Sequence, residues 1–356
     1  MTDPAAVSVV PKPIAYRLAF GTYDEALRMV GVASEPRTAG TVVSAARIQM
    51  FAATVHDANP SYWDADFATQ HWGGLVAPPA LLMGWLTPLP WQPGGQPPAA
   101  AIAIRVPLPG TTFINAANEA EFPLPIVEGD RLTVVEEVVS VSPEKQTKLG
   151  VGHFVETMDT FTRQDGAVVA TNRNTLFRFT PVGGVVTAGD DPERSDEVGA
   201  RPLAAARPEV PPPACGGERR SMAASWDEIA LPMDLPEVRD EISYQRVVMN
   251  SGSTWDYFPG HFDPVYAENQ GHPTIFVNTM HLAGFADRVA TEWAGPRSRV
   301  VRRKMRLAGS IYAGDTMVSR GRVVAKPAPG LVDLQIDVVN QRGELCCPVE
   351  LTLQLP

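Results

Sequence analysis

The chain is 356 residues long, 44% hydrophobic and 20% charged, a composition that suits a globular protein with two packed cores. Its net charge of −10 excludes a general nucleic-acid binder, which needs clustered cations to meet phosphates. No apolar run is long enough for a membrane span and no basic-then-apolar leader opens the chain, so a cytoplasmic protein free of membrane contact is expected. Three cysteines (Cys215, Cys346 and Cys347) lack metal-ligand spacing, and no metal is expected.

In chain order, the first regular element expected is a helix over Pro79–Leu86. Pro88 and Pro90 should cut it short, because proline lacks the amide donor and clashes with the preceding turn. Strands are expected over Ala101–Val106, Arg131–Val139, Gly150–Thr157 and Ala167–Phe177, stretches rich in Val, Ile, Thr and Phe. From residue 181 to 222 breakers and charges mix without a period, as in Pro208-Glu-Val-Pro-Pro-Pro213. That composition reads as a linker between an N-terminal unit (1–180) and a C-terminal unit (223–356). Further strands are expected over Ile242–Met249, Val300–Leu307, Thr316–Val324, Val332–Asn340 and Pro348–Leu355. Between the first two of these, Ile275–Trp293 reads as a long helix. Phe276, Met280, Phe285, Val289 and Trp293 recur at helical spacing, and Gly295-Pro296 stops it.

Two loops carry the same frame. Asp57-Ala-Asn59-Pro60-Ser-Tyr62-Trp-Asp64-Ala-Asp-Phe67-Ala68 matches Asp256-Tyr-Phe258-Pro259-Gly-His261-Phe-Asp263-Pro-Val-Tyr266-Ala267 in register. A second echo, Gly129-Asp130 against Gly314-Asp315, follows in the same order and points to an internal duplication. One long helix wrapped by a bent antiparallel sheet is the hot-dog architecture. Two such units give an α+β double hot-dog, the first helix shortened, with sheets able to pair side by side as in a dimer.

Only the second loop keeps a histidine. A Pro-Gly turn between Asp256 and His261 can aim both side chains into one pocket. A carboxylate beside an imidazole holds its tautomer and raises its basicity, as activation of a water requires. Tyr62 stands in the histidine's place in the first loop; with an unperturbed pKa of about 10 it is a poor base near neutrality. The first half is therefore expected to hold substrate, through Asp57, Asn59 and Tyr62.

Asp256-(x)4-His261-x-Asp263-Pro264, with Ala267 and Gly271, resembles the hydratase-2 motif of the MaoC-like enoyl-CoA hydratases and dehydratases. Phe51 through Pro79 resembles their N-terminal domain. Ile275-Phe-Val-Asn-Thr-Met together with Thr291-Glu-Trp-Ala-Gly-Pro296 is similar to actinobacterial hydratases of steroid side-chain degradation. The resemblance implies hydration of a trans-2-enoyl-CoA, or the reverse dehydration. It needs no cofactor, since coenzyme A is part of the substrate. Asp256 and His261 would activate water and protonate C2, and backbone amides near Asn278 and Thr279 would hold the thioester oxygen.

The chain departs from the motif in two places: Phe258 replaces the usual asparagine, and Thr279 replaces the usual glycine at the helix start. The shortened helix implies room for a bulky, steroid-like acyl group, with Trp72, Trp85 and Trp91 as candidate lining. Arg302, Arg303 and Lys304 would meet coenzyme A phosphates, or else form a solvated strand edge. A homodimer is the expected assembly. The rival readings are a non-catalytic acyl-CoA-binding scaffold, a hot-dog thioesterase, and a dehydratase acting on carrier-bound acyl chains.

Overall fold

A computed structural model describes residues 18–89, 101–181 and 226–356. The expected linker from residue 182 onward, Pro90, Trp91 and Cys215 lie outside the described residues. Eight long strands carry the fold: β1 (Thr112–Glu121), β2 (Thr133–Val141), β3 (Gly150–Thr162), β4 (Val168–Pro181), β5 (Arg299–Arg306), β6 (Thr316–Ala328), β7 (Leu331–Asn340) and β8 (Leu345–Gln354). With four short flanking strands they form one antiparallel sheet among the described residues, its long strands ordered β2-β3-β4-β1-β5-β8-β7-β6. The order reads as a palindrome of the two halves. It is joined at the β1–β5 seam, where Ala120 faces Arg303 and Asn118 faces Met305.

Two strand expectations are corrected. Ile242–Met249 lies largely in a helix, α2 (Tyr244–Thr254), preceded by the short α1 (Ala45–Thr54) in the equivalent place of the first half. Ser243 caps α2 by accepting from the Arg246 amide, and Val247, Asn250, Ser251 and Thr254 turn one face inward. The run of β-branched residues masked that helical spacing. Ala101–Val106 holds a single helical turn, Ile102–Arg105, and strand β1 follows where none was expected.

Arg47 and Arg246 tie the halves together reciprocally. Arg47, on α1, donates to the carbonyls of Ser253 (3.1 Å) and Thr254 (3.0 Å) at the end of α2. Arg246, on α2, donates to the carbonyl of Thr54 (2.7 Å) at the end of α1. Each cation thus satisfies orphan carbonyls at the other helix's C-terminus, an interaction worth about 0.3–2 kcal/mol. The repeated signature, serine then arginine three residues on, is present in the sequence at Ser44/Arg47 and Ser243/Arg246.

The long helix α3 (Thr279–Ala294) crosses the concave face of the second half, burying Leu282, Phe285, Val289 and Trp293. It starts at Thr279 rather than Ile275 because Phe276 still pairs with Tyr312 as a β-bridge. A Cβ at Gly284 would lie 3.0 Å from Phe51 and Val55, so glycine sets how closely α1 packs on α3. Among the described residues the first half shows no such helix: Pro79–Leu86 forms two 3-10 turns, Pro79–Leu81 and Met83–Leu86. Among the described residues no helix is long and apolar enough to cross a membrane.

Candidate active site

The chain leaves α2 through Trp255, whose φ of 59° lies in the left-handed region; His56, after α1, has φ 53°. Pro259–His261 makes one 3-10 turn. Asp263 then caps the next helix by accepting from the amides of Val265 (2.9 Å) and Tyr266 (3.1 Å). With both ends pinned, the loop aims the buried His261 ring at Asp256, whose side chain is 33% exposed and so reachable from solvent.

His261 Nδ1 lies 2.8 Å from the Phe276 carbonyl. A carbonyl only accepts, so Nδ1 carries the proton and Nε2 presents its lone pair. Nε2 faces Asp256 Oδ2 at 3.5 Å. That carboxylate also accepts from Asn278 Nδ2 (3.1 Å) and the Phe258 amide (3.4 Å). Burial pushes the Asp256 carboxyl up, but the facing His261 ring when protonated, Asn278 and the Phe258 amide together hold it below the ordinary aspartate value.

Asn278 does two things at the start of α3. Its Oδ1 caps the helix by accepting from the His281 amide (3.1 Å). Its Nδ2 donates to both Asp256 and Thr254 Oγ1 (2.9 Å). The sequence pointed to this residue for its backbone and missed the side chain, along with Thr254 and the Phe276 carbonyl. Phe258 and Phe276 stand edge-on to His261, with ring centroids 5.3 and 5.0 Å away. A Cβ at Gly260 would lie 2.7 Å from the Phe258 ring, so the close aromatic approach requires glycine there.

The first loop, with the expected substrate residues Asp57, Asn59 and Tyr62, is arranged differently. All three are buried. Asp57 Oδ1 accepts from the Asn59 amide (2.8 Å), and Asn59 Oδ1 accepts from the Ser61 amide (3.0 Å). Trp72 Nε1 donates to Ser61 Oγ (2.9 Å) and Trp63 Nε1 to the Asp57 carbonyl (2.8 Å), closing the loop on itself. Trp85, expected in a pocket wall, is buried with its ring centroid 4.9 Å from the Arg47 guanidinium, in the core.

The three basic residues on β5 do not act as one patch, because successive side chains of a strand face opposite ways. Arg303 points into the protein and pairs with the buried Asp287 of α3. Arg302 is on the outer face, paired with Glu119, and Lys304 is exposed there. Arg303 is thereby set apart from the two cations on the outer face.

Residues 28–172 match the FAS1-like dehydratase domain region and residues 234–331 the MaoC like domain. A probable enoyl-CoA hydratase alpha subunit of Thermomonospora curvata is 34% identical over 156 residues, covering 41% of this chain and 48% of that protein. The chain thus spans about half the length of that relative. A 3-oxo-4,17-pregnadiene-20-carboxyl-CoA hydratase beta subunit of Mycobacterium tuberculosis is 31% identical over 121 residues, 34% of this chain and 93% of that one. Among solved structures, a MaoC-like dehydratase superposes with a TM-score of 0.70 at 19% identity, covering 93% of this chain and 100% of that one. A Mycobacterium tuberculosis protein with a double hotdog fold superposes at 0.56 and 16% identity, covering 91% and 96%. The fold is the double hot-dog, and the chain belongs to the MaoC-like dehydratase family.

Proposed function

We propose that the chain hydrates a trans-2-enoyl-CoA thioester, or dehydrates the 3-hydroxyacyl product, with the chemistry in its second half. One observation carries the reading: His261 Nε2 and Asp256 Oδ2 converge at 3.5 Å as two acceptors. A water between them donates one hydrogen to each, which orients its lone pair for attack. Nε2 takes a proton as the oxygen bonds to C3, and the same proton returns to C2, so one water is added in balance. The negative charge crossing the thioester oxygen meets the start of α3. The cap uses the His281 amide, and those of Thr279 and Met280 are offered to the oxyanion. An amide serves here whatever its side chain, so Thr279 in place of glycine leaves the device intact.

The acyl group runs from the start of α3 toward the first half, where two 3-10 turns replace a helix. A bulky, steroid-like acyl group is supported by those turns, Pro79–Leu81 and Met83–Leu86, which stand in the first half where α3 stands in the second. The name of the Mycobacterium tuberculosis relative agrees with such a substrate. The two carboxylates on α3, Asp287 and Glu292, pair with Arg303 and Arg288, which disfavours a thioesterase. A homodimer of the whole chain completes the reading.

The test follows loss of the conjugated enoyl-thioester absorbance with crotonyl-CoA and with a steroid-side-chain enoyl-CoA. Hydration of the bulky substrate, lost in His261→Ala, is the expected result. Equal rates on both substrates would remove the bulky acyl group. No hydration of either would remove the hydratase.

A further inference from the structure

The two arginines that tie the halves are alike in position and unlike in surroundings. Arg246 donates to both oxygens of the buried Asp240, which also accepts from His56 (3.1 Å) and Arg288 (3.3 Å). Its charge is matched, and the loop it serves is the closed one, since His56 stands directly before Asp57. Arg47 is also buried, yet among the described residues it forms no ion pair. Thr41 occupies the position equivalent to Asp240, counted back from Ser44 and Ser243.

The hydrogen bonds of Arg47 go to three carbonyls, those of Ser253, Thr254 and Gly84, and its Nη1 is buried without a hydrogen-bond partner. Burial pushes the guanidinium down to about 10, offset in part by Tyr257 of the second loop. A buried cation without a counter-ion is the less favourable way to join two helices, and the same molecule uses the more favourable way at Arg246.

What the unmatched cation touches is the run into the catalytic loop. Its guanidinium carbon lies 3.8 Å from the Trp255 ring centroid. Trp255 is the left-handed residue directly before Asp256, and a non-glycine residue at positive φ persists only where its surroundings over-determine it. The Thr254 carbonyl that Arg47 holds belongs to the residue whose Oγ1 accepts from Asn278, the donor to Asp256. A Cβ at Gly84 would lie 3.2 Å from both Arg47 Nη2 and the Thr254 carbonyl oxygen, so glycine lets the 3-10 turn close on the same clamp. The planar fork thus fixes the carbonyls while its face covers the Trp255 ring.

We propose that Arg47 is a positioning residue for Asp256: through its guanidinium the first half sets the Thr254–Trp255 backbone, and with it the direction of the catalytic carboxylate. The consequence for rate rests on the enoyl-CoA reading; the clamp itself does not. The first half thereby takes a share in the chemistry that its own closed loop lacks.

Arg47→Met and Arg246→Met each remove one tie and separate joining from positioning. Both are expected to lower the urea midpoint, Arg246→Met the more, because it strands Asp240. On an enoyl-CoA that the wild type hydrates, Arg47→Met should lower kcat at least about tenfold and change KM less than about threefold, since a displaced carboxylate weakens the transition state rather than binding. Arg246→Met should keep kcat within about twofold of wild type. Hydrogen exchange reports the clamp without turnover: the amides of residues 255–258 should exchange faster in Arg47→Met than in Arg246→Met. If Arg47→Met does not fold, Arg47→Lys carries the same comparison, because lysine keeps the charge and loses the planar fork. An unchanged kcat in the Arg47 variant, an equal loss in Arg246→Met, or equal exchange in the two would overturn the positioning role and leave the hydratase standing. The expected exchange difference in a protein whose wild type hydrates no enoyl-CoA would keep the clamp and end the hydratase.

Discussion

The loops at Asp57–Ala68 and Asp256–Ala267 share a frame and differ in what they do with the first aspartate. In the first loop Asp57 grips the Asn59 amide at 2.8 Å, and the Asn59 side chain in turn caps the following turn. In the second, Phe258 has no oxygen to cap with, and its amide stands 3.4 Å from Asp256. The carboxylate is turned outward instead, to Asn278 on α3 and to His261. Gly260 for Ser61 admits the aromatic ring, and His261 for Tyr62 supplies the base. The same backbone is a closed strut in one copy and an open site in the other. The difference lies in whether the aspartate's partners are local.

The largest effect should come from breaking the open copy. His261→Ala or Asp256→Asn is expected to lower kcat for enoyl-CoA hydration by about 10²–10⁴, the usual scale for a positioned acid–base group. Tyr62→Phe, at the equivalent position of the closed copy, should leave kcat unchanged. A comparable loss there would mean that the two loops act together.

The two halves of the sheet face give the next contrast. The Asp159 carboxyl is raised to about 6, first by burial and then by Glu136. It is therefore protonated in the folded chain at pH values where the unfolded chain has already ionised. The folded state binds the extra proton, so this contribution to stability is present at about pH 4 and is lost as pH rises through about 6, a change of about 3 kcal/mol. Asp159→Asn should flatten that slope, gaining stability over wild type near neutrality and little at acid pH, as read from urea midpoints. An unchanged slope would show that Asp159 does not hold the extra proton of the folded state.

Asn278 sharpens the loop comparison, because its side-chain amide gives Asp256 the donor that the Asn59 backbone amide gives Asp57 in the first copy. Asn278→Ser keeps a helix-capping oxygen and removes the amide that holds Asp256. A loss of about tenfold to a hundredfold in kcat is expected from a displaced carboxylate. As a positioning residue it carries a further signature. With a donor lost, the Asp256 carboxyl titrates higher, so the acid limb of the pH–rate profile should move up. A purely structural role for Asn278 would leave that limb in place.

Much of this was legible in the residues themselves. The long strands β2 to β4 and β6 to β8 announce themselves by β-branched alternation, and the duplicated frame singles out Asp256 and His261. Strand β1 did not show, because Asn115, Asn118, Glu119 and Glu121 give it no apolar face. At the seam, it turns one side to a polar hollow and the other to the charges of β5. Helix α2 was masked by Val247-Val248, which read as strand until a cap and inward-facing Asn250 and Thr254 are seen. Which of the three neighbouring cations faces inward was left open, although strand alternation alone separates Arg303 from Arg302 and Lys304. The side-chain bond from Asn278 to Asp256 depends on tertiary packing, and no local spacing reports it.

The smallest effect should come from trying to make the closed copy work. Tyr62→His introduced into His261→Ala places an imidazole in the frame position that the base occupies in the second loop. No hydration above the His261→Ala background is expected. The new ring would face an aspartate already bonded to the Asn59 amide, in a loop where Ser61 and Tyr62 are buried and Trp72 is tied to Ser61. A second acceptor needs an outward-turned carboxylate, and that orientation came with Phe258 and Gly260 as well as with the histidine. Recovery of activity in this double variant would mean that the frame alone suffices and that the partners of the aspartate matter less than its spacing.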